Sequence, residues 1–294
     1  MPLKKPLRIA RTLWAGLFPL YLMEKLNAIP EGFEILDLDE YDETLDWLAS
    51  GKIDGNFNSL ADTLFLVGRG ASLKLIMPSD LSVGVDGFVS RPELSGVFGL
   101  VGKRIGISIL TYPHVLILQI LAKYHLSEND VELVPVRGEK VVEAVLGGEI
   151  DAGHTWGVHI EEATYQGLKL LFTSSEYPGL LVDSLVVHSK SLTEGMERWE
   201  AFVTAHDWTI EWWQKNPQKG VDLLAEITGF PPSKISSMME GVTLYTRQTA
   251  NPLFDKMADS PPALFASGRL FNRFFIEKGV LSDSVNLEEI LQPI

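Results

Sequence analysis

The chain has 294 residues, 46% hydrophobic and 22% charged, which is enough for one large domain or two lobes and too apolar for a disordered chain. Its formal charge is −14, from 39 acids and 25 bases, and no basic run exceeds Lys4-Lys5, so no nucleic-acid partner is expected and anionic membrane surfaces are disfavoured. Cysteine is absent, which removes disulfides, thiolate zinc sites and thiol nucleophiles.

The start, Met1-Pro2-Leu3-Lys4-Lys5-Pro6, has no apolar core behind it and no small-residue cleavage site, so it is not read as a signal peptide. Arg8-Ile9-Ala10 opens a strand, and Leu17, Leu20, Tyr21, Met23, Glu24 and Leu26 follow at helical spacing. Phe33-Glu34-Ile35-Leu36 is a second strand. Leu45, Trp47 and Leu48 mark a helix that ends at Gly51, and a third strand is expected at Ile53. Leu73–Pro78 and the glycine-bearing run Val83–Val89 come next. The pattern then repeats, with a strand at Arg104-Ile105-Gly106-Ile107, a helix over Val115–Ala122 and a strand at Val131–Val134. A helix at Val141–Val145 ends at Gly148, and a strand at Ile150 closes the second copy. Ser184–His188 is another apolar strand. From Leu192 onward Trp199, Phe202, Val203, Trp208, Ile210 and Trp213 recur at helical spacing until Asn216-Pro217. Ala263–Leu291 is expected to be helical and to return onto the first lobe. No run of about 18 apolar residues occurs.

A weak internal repeat runs through this order; the other reading is chance, since Ile-Asp after a Gly is a common helix-to-strand turn and any two βαβ units look alike. Arg8 echoes Arg104, Phe33-Glu34-Ile35-Leu36 echoes Val131-Glu132-Leu133-Val134, and Ser50–Gly55 echoes Gly147–Ala152, at offsets of 96, 98 and 97. Each copy reads strand, helix, strand, helix, strand, which predicts two similar α/β lobes with parallel sheets. Leu73–Pro78 and Ser184–His188 are the natural crossover strands between them.

In open α/β sheets ligands bind beyond the carboxyl ends of strands. Four segments lie there: Thr12–Pro19 with Trp14 and Phe18, Asn56–Asp62 with Asn58 and Ser59, Ser108–His114 with Thr111, Tyr112 and His114, and His154–His159 with Trp156. They mix hydroxyl, amide and aromatic side chains, the make-up of a small-molecule pocket. Trp14 and Trp156 either wall a ligand or plug the sheet ends. Ser59 and Thr111 are equally good helix N-caps. His154 and His159 stand five apart across a turn with no acid at a recognised metal spacing, so no metal is expected. Neither a nucleophile elbow nor a phosphate loop is present.

These loops resemble the substrate-binding proteins of nitrate/sulfonate/taurine-type ABC importers, a group that includes thiamine-pyrimidine-precursor binders. The resemblance runs over residues 8 to 275. It includes Trp14–Pro19, Asp80-Leu81-Ser82-Val83-Gly84-Val85-Asp86 as the D-x-S-x-G-x-D crossover, and Leu100–Gly106. It also includes Gly148–Gly153 leading to Thr155-Trp156, and Leu181–Val187 as the return strand. Gly157 and Val158 stand where the family often has W-x-P.

The resemblance implies a type II periplasmic-binding-protein-like fold, with lobe I at 1–87 and 188–294, lobe II at 88–187, and a solute closed in the cleft between them. Trp14, Asn58, Ser82, Asp86, Thr111, Tyr112, Trp156 and Asp183 are the pocket residues it implies. The solute expected is a sulfonate, an amine-bearing or a pyrimidine-like molecule. Asp62, Asp86 and Asp183 favour an N–H donor or cation, although Asp86 and Asp183 also suit backbone bonds in a hinge. A membrane permease is the expected partner, with no cofactor, no enzymatic activity, a monomeric state and a periplasmic or extracytoplasmic location. A cytoplasmic location is the other option. The alternatives are an enzyme on the same fold, of menaquinone-pathway or pyrimidine-synthase type, and the ligand-sensing domain of a receptor.

Overall fold

The structure is a computed structural model that describes residues 5–294; residues 1–4 of the charged start lie outside the described residues. The chain forms two compact units, Met1–Leu81 with Val182–Ile294, and Ser82–Leu181. It crosses at 81/82 and returns at 181/182, where the sequence pointed to 87/88 and 187/188.

In unit 1, β1 (Leu7–Arg11) leads through a short turn, Ala15–Leu17, into α1 (Phe18–Lys25). Pro19 sits in the first turn of that helix, where a missing N–H removes no helical bond. Then come β2 (Phe33–Asp37), α2 (Tyr41–Ala49), β3 (Gly55–Ser59), α3 (Leu60–Gly68) and β4 (Leu73–Ser82). Unit 2 contains β5 (Asp86–Ser90), β6 (Arg104–Ile107), α4 (Tyr112–Lys123), β7 (Glu132–Pro135) and α5 (Val141–Leu146). It closes with β8 (Ala152–Trp156), α6 (Gly157–Tyr165) and β9 (Lys169–Thr173). The chain returns to unit 1 in β10 (Val182–His188) and α7 (Ser189–Lys215), which leaves helical geometry at Gly195. It finishes through α8 (Pro217–Thr228), α9 (Pro232–Met238), β11 (Val242–Leu244), α10 (Arg247–Ala250), α11 (Leu264–Glu277) and α12 (Leu287–Ile290). The expected C-terminal helix is therefore two helices, broken after Glu277 at Gly279, whose φ is +71°.

The two sheets share one plan. Unit 1 has the order β2-β1-β3-β10-β4-β11, and unit 2 has β7-β6-β8-β5-β9. In each, the first three strands run parallel. The inserted strand, β10 or β5, is antiparallel to its neighbours. The sheets are thus mixed rather than wholly parallel, because the fourth position is filled by a strand arriving from the other unit.

The Ile-Asp echo has a structural cause. Asp54 accepts the Arg8 N–H at 2.8 Å and gives its own N–H to the Arg8 carbonyl at 2.7 Å. Asp151 does the same to Arg104, at 2.9 and 2.8 Å. Gly51 and Gly148 make the preceding turns at φ +69° and +76°, as expected of helix C-terminal glycines. With Ile53-Asp54 and Ile150-Asp151 used in this clamp, the third strands start later than expected. Asn56, Asn58 and Ser59, and likewise His154, Thr155 and Trp156, lie in β3 and β8 and not in the loops after them.

The unit 1 core is aromatic. Trp199 is fully buried, edge-on to Phe33 at 5.2 Å and to Phe202 at 6.2 Å, and its indole N–H reaches Ser191 at 3.1 Å. Unit 2 packs Val89, Val141, Val142, Val145, Ile150 and Ala163 between sheet and helices. Each such large side chain stabilises by about 1.5–3 kcal/mol. As expected, the C-terminal segment returns to unit 1: Phe275 lies 6.1 Å from Phe65 of α3, and Gln292 and Ile294 donate to the Leu75 and Ile76 carbonyls.

Candidate functional site

At the carboxyl end of the unit 1 sheet, β3 ends at Ser59 and α3 begins. The Ser59 Oγ accepts the Asp62 N–H at 3.2 Å, so it is a true N-cap, and it also donates to Asp62 Oδ2 at 2.7 Å. The Tyr41 hydroxyl donates to the same Oδ2 at 2.8 Å. Asp62 is 3% exposed, and its Oδ1 has no hydrogen-bond partner. Burial pushes its carboxyl up to about 6, against the downward pull of the Ser59 and Tyr41 hydroxyls. Burial, then the charges of Asp62 and Asp183, raise the Tyr41 hydroxyl well above its usual value, so it remains a donor.

Asp183 stands opposite Ser59 on one side and Asp80 on the other, which sets the ends of β3, β10 and β4 side by side. Asp80 is fully buried, takes the Ser79 hydroxyl at 3.0 Å, and lies against Gly16. Trp14, at the end of the β1 loop, is partly buried and its indole Nε1 has no hydrogen-bond partner. Arg11, the one base bordering that loop, is committed to Glu24 at 2.6 Å and Asp37 at 2.7 Å, with its guanidinium 3.8 Å above the Tyr21 ring.

Two expected residues face inward. Asn58 is fully buried, receives the Thr63 hydroxyl at 2.6 Å and gives its amide to Asn56 at 2.7 Å; Asn56 gives its own to Thr44 at 3.1 Å. This closed chain ties β3 to α2 and α3. Phe18 is fully buried against Trp213 at 6.4 Å, in the core.

Unit 2 gathers a different set. Asp86 opposes Trp156 across β5 and β8. Asp86 Oδ1 lies 3.4 Å from His154 Nε2 without hydrogen-bond geometry, and Ser82 donates to Oδ2 at 3.4 Å. Around His154 stand Phe88 at 5.4 Å, Tyr112 at 6.0 Å and Trp156 at 6.2 Å, the first two edge-on. Trp156 lies on Gly138, where a Cβ would come within 2.0 Å of the indole ring, so only glycine admits it there. The Thr155 hydroxyl is buried with no hydrogen-bond partner. Thr111 occupies the N-cap position of α4 but donates to the Ser108 carbonyl at 2.7 Å instead of capping. His114 Nδ1 accepts the Leu110 N–H at 3.3 Å and holds that loop, in which Leu110 adopts φ +64°. His114 Nε2 is 3.4 Å from Glu128.

A groove of about 810 Å³ in unit 1, lined by Lys256, Phe265, Arg269, Asn272, Arg273 and Glu277 among others, shares no residue with the sheet-end group. Among the described residues no three His, Cys, Asp or Glu stand where one metal ion would be held.

Residues 32–220 match the family described as NMT1/THI5 like. The chain belongs to the NMT1/THI5-like family. A taurine-binding periplasmic protein of Escherichia coli (strain K12) is 26% identical to this NMT1/THI5-like chain over 171 residues, 54% of the chain and 51% of that protein. The match thus spans about half the length of that relative. The alkanesulfonate-binding protein of Xanthomonas axonopodis pv. citri, solved bound to MOPS, superimposes with a TM-score of 0.76 at 18% identity, covering 98% of this chain and 99% of that one. The periplasmic aliphatic sulphonate binding protein of Escherichia coli gives 0.72 at 16% identity, covering 99% and 93%. At these identities the structures share the fold, and the fold of this NMT1/THI5-like chain is that of periplasmic binding proteins.

The sequence put Asp62 and His154 in the segments beyond the strand ends but not among the expected pocket residues, and Tyr41 in neither. The signal for Asp62 was present: an acid three residues after a capping Ser. Tyr41 had none, since it sits in the acidic run Asp37–Asp42 and meets Asp62 only through the packing of α2 on α3.

Proposed function

We propose that the chain is the solute-binding component of an ABC importer, holding a small organic molecule with groups from both units and releasing it unchanged to a membrane permease. The observation that carries this reading is the duplicated sheet: the same strand order in both units, each ending in polar and aromatic side chains. Paired α/β units of this kind close on a ligand by hinge motion about the connecting strands. The named relatives are sulfonate- and taurine-binding proteins, and the proposed solute is a sulfonate, an amine-bearing or a pyrimidine-like molecule. Trp14, Ser82, Asp86, Thr111, Tyr112, Trp156 and Asp183 are proposed to line its site, with Asp62, Tyr41 and His154 added. The location proposed is extracytoplasmic and the working form a monomer; no helix among the described residues is long and apolar enough to cross a membrane.

A thermal-shift screen over sulfonates, amines, amino acids and pyrimidines tests the reading. A ligand bound only by the folded state raises the melting temperature by mass action, by about 2.7 kcal/mol of stability at 100 times Kd. A saturable rise for one chemical class is the expected result. No rise for any class, at millimolar concentrations, overturns the reading.

A further inference from the structure

The carboxyl end of the unit 1 sheet is acidic where a receptor for an anion would be basic. Asp62 bonds Ser59, Ser59 stands opposite Asp183, and Asp183 stands opposite Asp80, so three carboxylates follow one another from the first turn of α3 to the ends of β10 and β4. Asp62 is 3% exposed and uses only one of its two oxygens: Oδ2 takes the Tyr41 and Ser59 hydroxyls, and Oδ1 takes nothing. A buried carboxylate oxygen without a donor is costly, and it stays so until a donor arrives. The second independent feature is Asp80. Its carboxylate presses on Gly16 in the turn that opens α1, with a Cβ position there only 2.2 Å from Oδ1. That helix start is where backbone N–H groups would otherwise be offered to an oxyanion of the solute. The protein has placed its own anion beside it. Arg11, the nearest base in sequence, is held by Glu24 and Asp37.

We infer that unit 1 receives an ammonium or amino group of the solute on Asp62 Oδ1, with Tyr41 and Asp183 beside it, and rejects a sulfonate or carboxylate at that place. The inference rests on the solute-binding reading and names its substrate class: the solute is an amine, and any anionic group it carries is held elsewhere. Asp62 is the residue that separates the amine from its oxygen isostere. A site built to accept from an N–H loses a partner when the ligand group brings no donor of equal strength, and it discriminates for that reason.

The test uses matched pairs that differ only in this group: 2-aminoethanesulfonate and 2-hydroxyethanesulfonate, 4-aminobutanoate and 4-hydroxybutanoate, and an aminomethyl- and a hydroxymethylpyrimidine. Each is titrated calorimetrically into the full chain and into Asp62→Asn, with circular dichroism to check the fold. The expected result is that at least one amine binds at least tenfold tighter than its hydroxyl partner. Asp62→Asn then lowers the amine's affinity at least tenfold and the hydroxyl partner's by less, so the preference within the pair shrinks. The pair preference is read on the unmodified protein, so it stands even if Asp62→Asn does not fold. Solutes that bind with equal affinity within each pair, or an amine bound as tightly by folded Asp62→Asn, overturn the inference and leave the solute-binding reading intact. If no member of any pair binds while another solute class does, the inference falls alone. If nothing in the wider screen binds, both fall.

Discussion

Gly16 rests directly on the Asp80 carboxylate: a Cβ there would lie 2.2 Å from Oδ1 and 2.4 Å from Cγ. The contact joins the turn before α1 to the end of β4. Asp80 is also what, after burial, raises the Tyr245 hydroxyl, whose backbone N–H bonds the Ser79 carbonyl at 2.8 Å. Gly16→Ala must displace a fully buried charged group, and overpacking of that kind costs about 1–3 kcal/mol. Urea denaturation measures the loss. Adding Asp80→Ala to Gly16→Ala removes the clash, so the double mutant is expected to be more stable than the sum of the single losses predicts by about 1 kcal/mol or more.

Asp62 makes the stability depend on pH in an unusual direction. Its carboxyl stands at about 6 in the folded chain, against an ordinary 3.8. Between those values the folded state binds the proton and the unfolded state does not, so stability from this group rises as pH falls through 6 towards 3.8. The separation corresponds to about 3 kcal/mol. Asp62→Asn keeps an acceptor for Ser59 and Tyr41 but cannot ionise. It is expected to be more stable than the parent at pH 8 and to lose that advantage at pH 4, measured by denaturant titration at both.

His206 acts with the opposite sign. It is buried, stacks on Phe57 at 6.2 Å, and burial pushes its imidazole down to about 4 from the ordinary 6.5. As pH falls from 6.5 to 4 the unfolded chain takes up a proton that the folded chain does not, and stability falls by about 3 kcal/mol. His206→Phe keeps a ring on Phe57 and removes the titration. The variant is expected to lose less stability than the parent between pH 7 and pH 4.5, so that the gain at Asp62 becomes visible in the melting temperature.

The two Asp clamps are structural and should behave alike. Asp54→Ala leaves the Arg8 N–H without its acceptor, and Asp151→Ala does the same at Arg104. Each costs about 1–3 kcal/mol as a charge-assisted bond lost to a backbone donor. Asp151 also bridges Arg91 at 2.8 Å, so Asp151→Ala is expected to be the more damaging of the two in thermal unfolding.

Trp14 tests the unit 1 loop without touching an acid. Trp14→Phe keeps the aromatic wall and deletes the unpartnered indole N–H. If that group serves the solute, affinity falls about fivefold, the worth of one neutral hydrogen bond, while the melting temperature of the free protein is unchanged. Titration of the bound solute into the variant measures it.

The sequence showed the doubled plan because its signals are local. Gly51 and Gly148 must turn at positive φ, and Ile-Asp must follow to clamp the first strand, so both copies carry the same letters at one spacing. The site was harder to read. Asn56 and Asn58 look like loop residues because their polarity hides that they bond each other, Thr44 of α2 and Thr63 of α3, while Ser59 caps α3 through Asp62. Phe18, expected beside Trp14 in the segment after β1, opens α1 and fills the core against Trp213. Tyr41 with Asp62, and Gly16 with Asp80, meet across 21 and 64 residues of chain, and nothing in the local pattern of either partner announces the other.

The most direct test of the account is calorimetric titration of the full chain with the solute that raises its melting temperature most, followed by mass spectrometry of the solute recovered after prolonged incubation. The account predicts saturable binding of one solute per chain and recovery of the same compound, intact. A recovered product of different mass, or heat that never saturates, contradicts it.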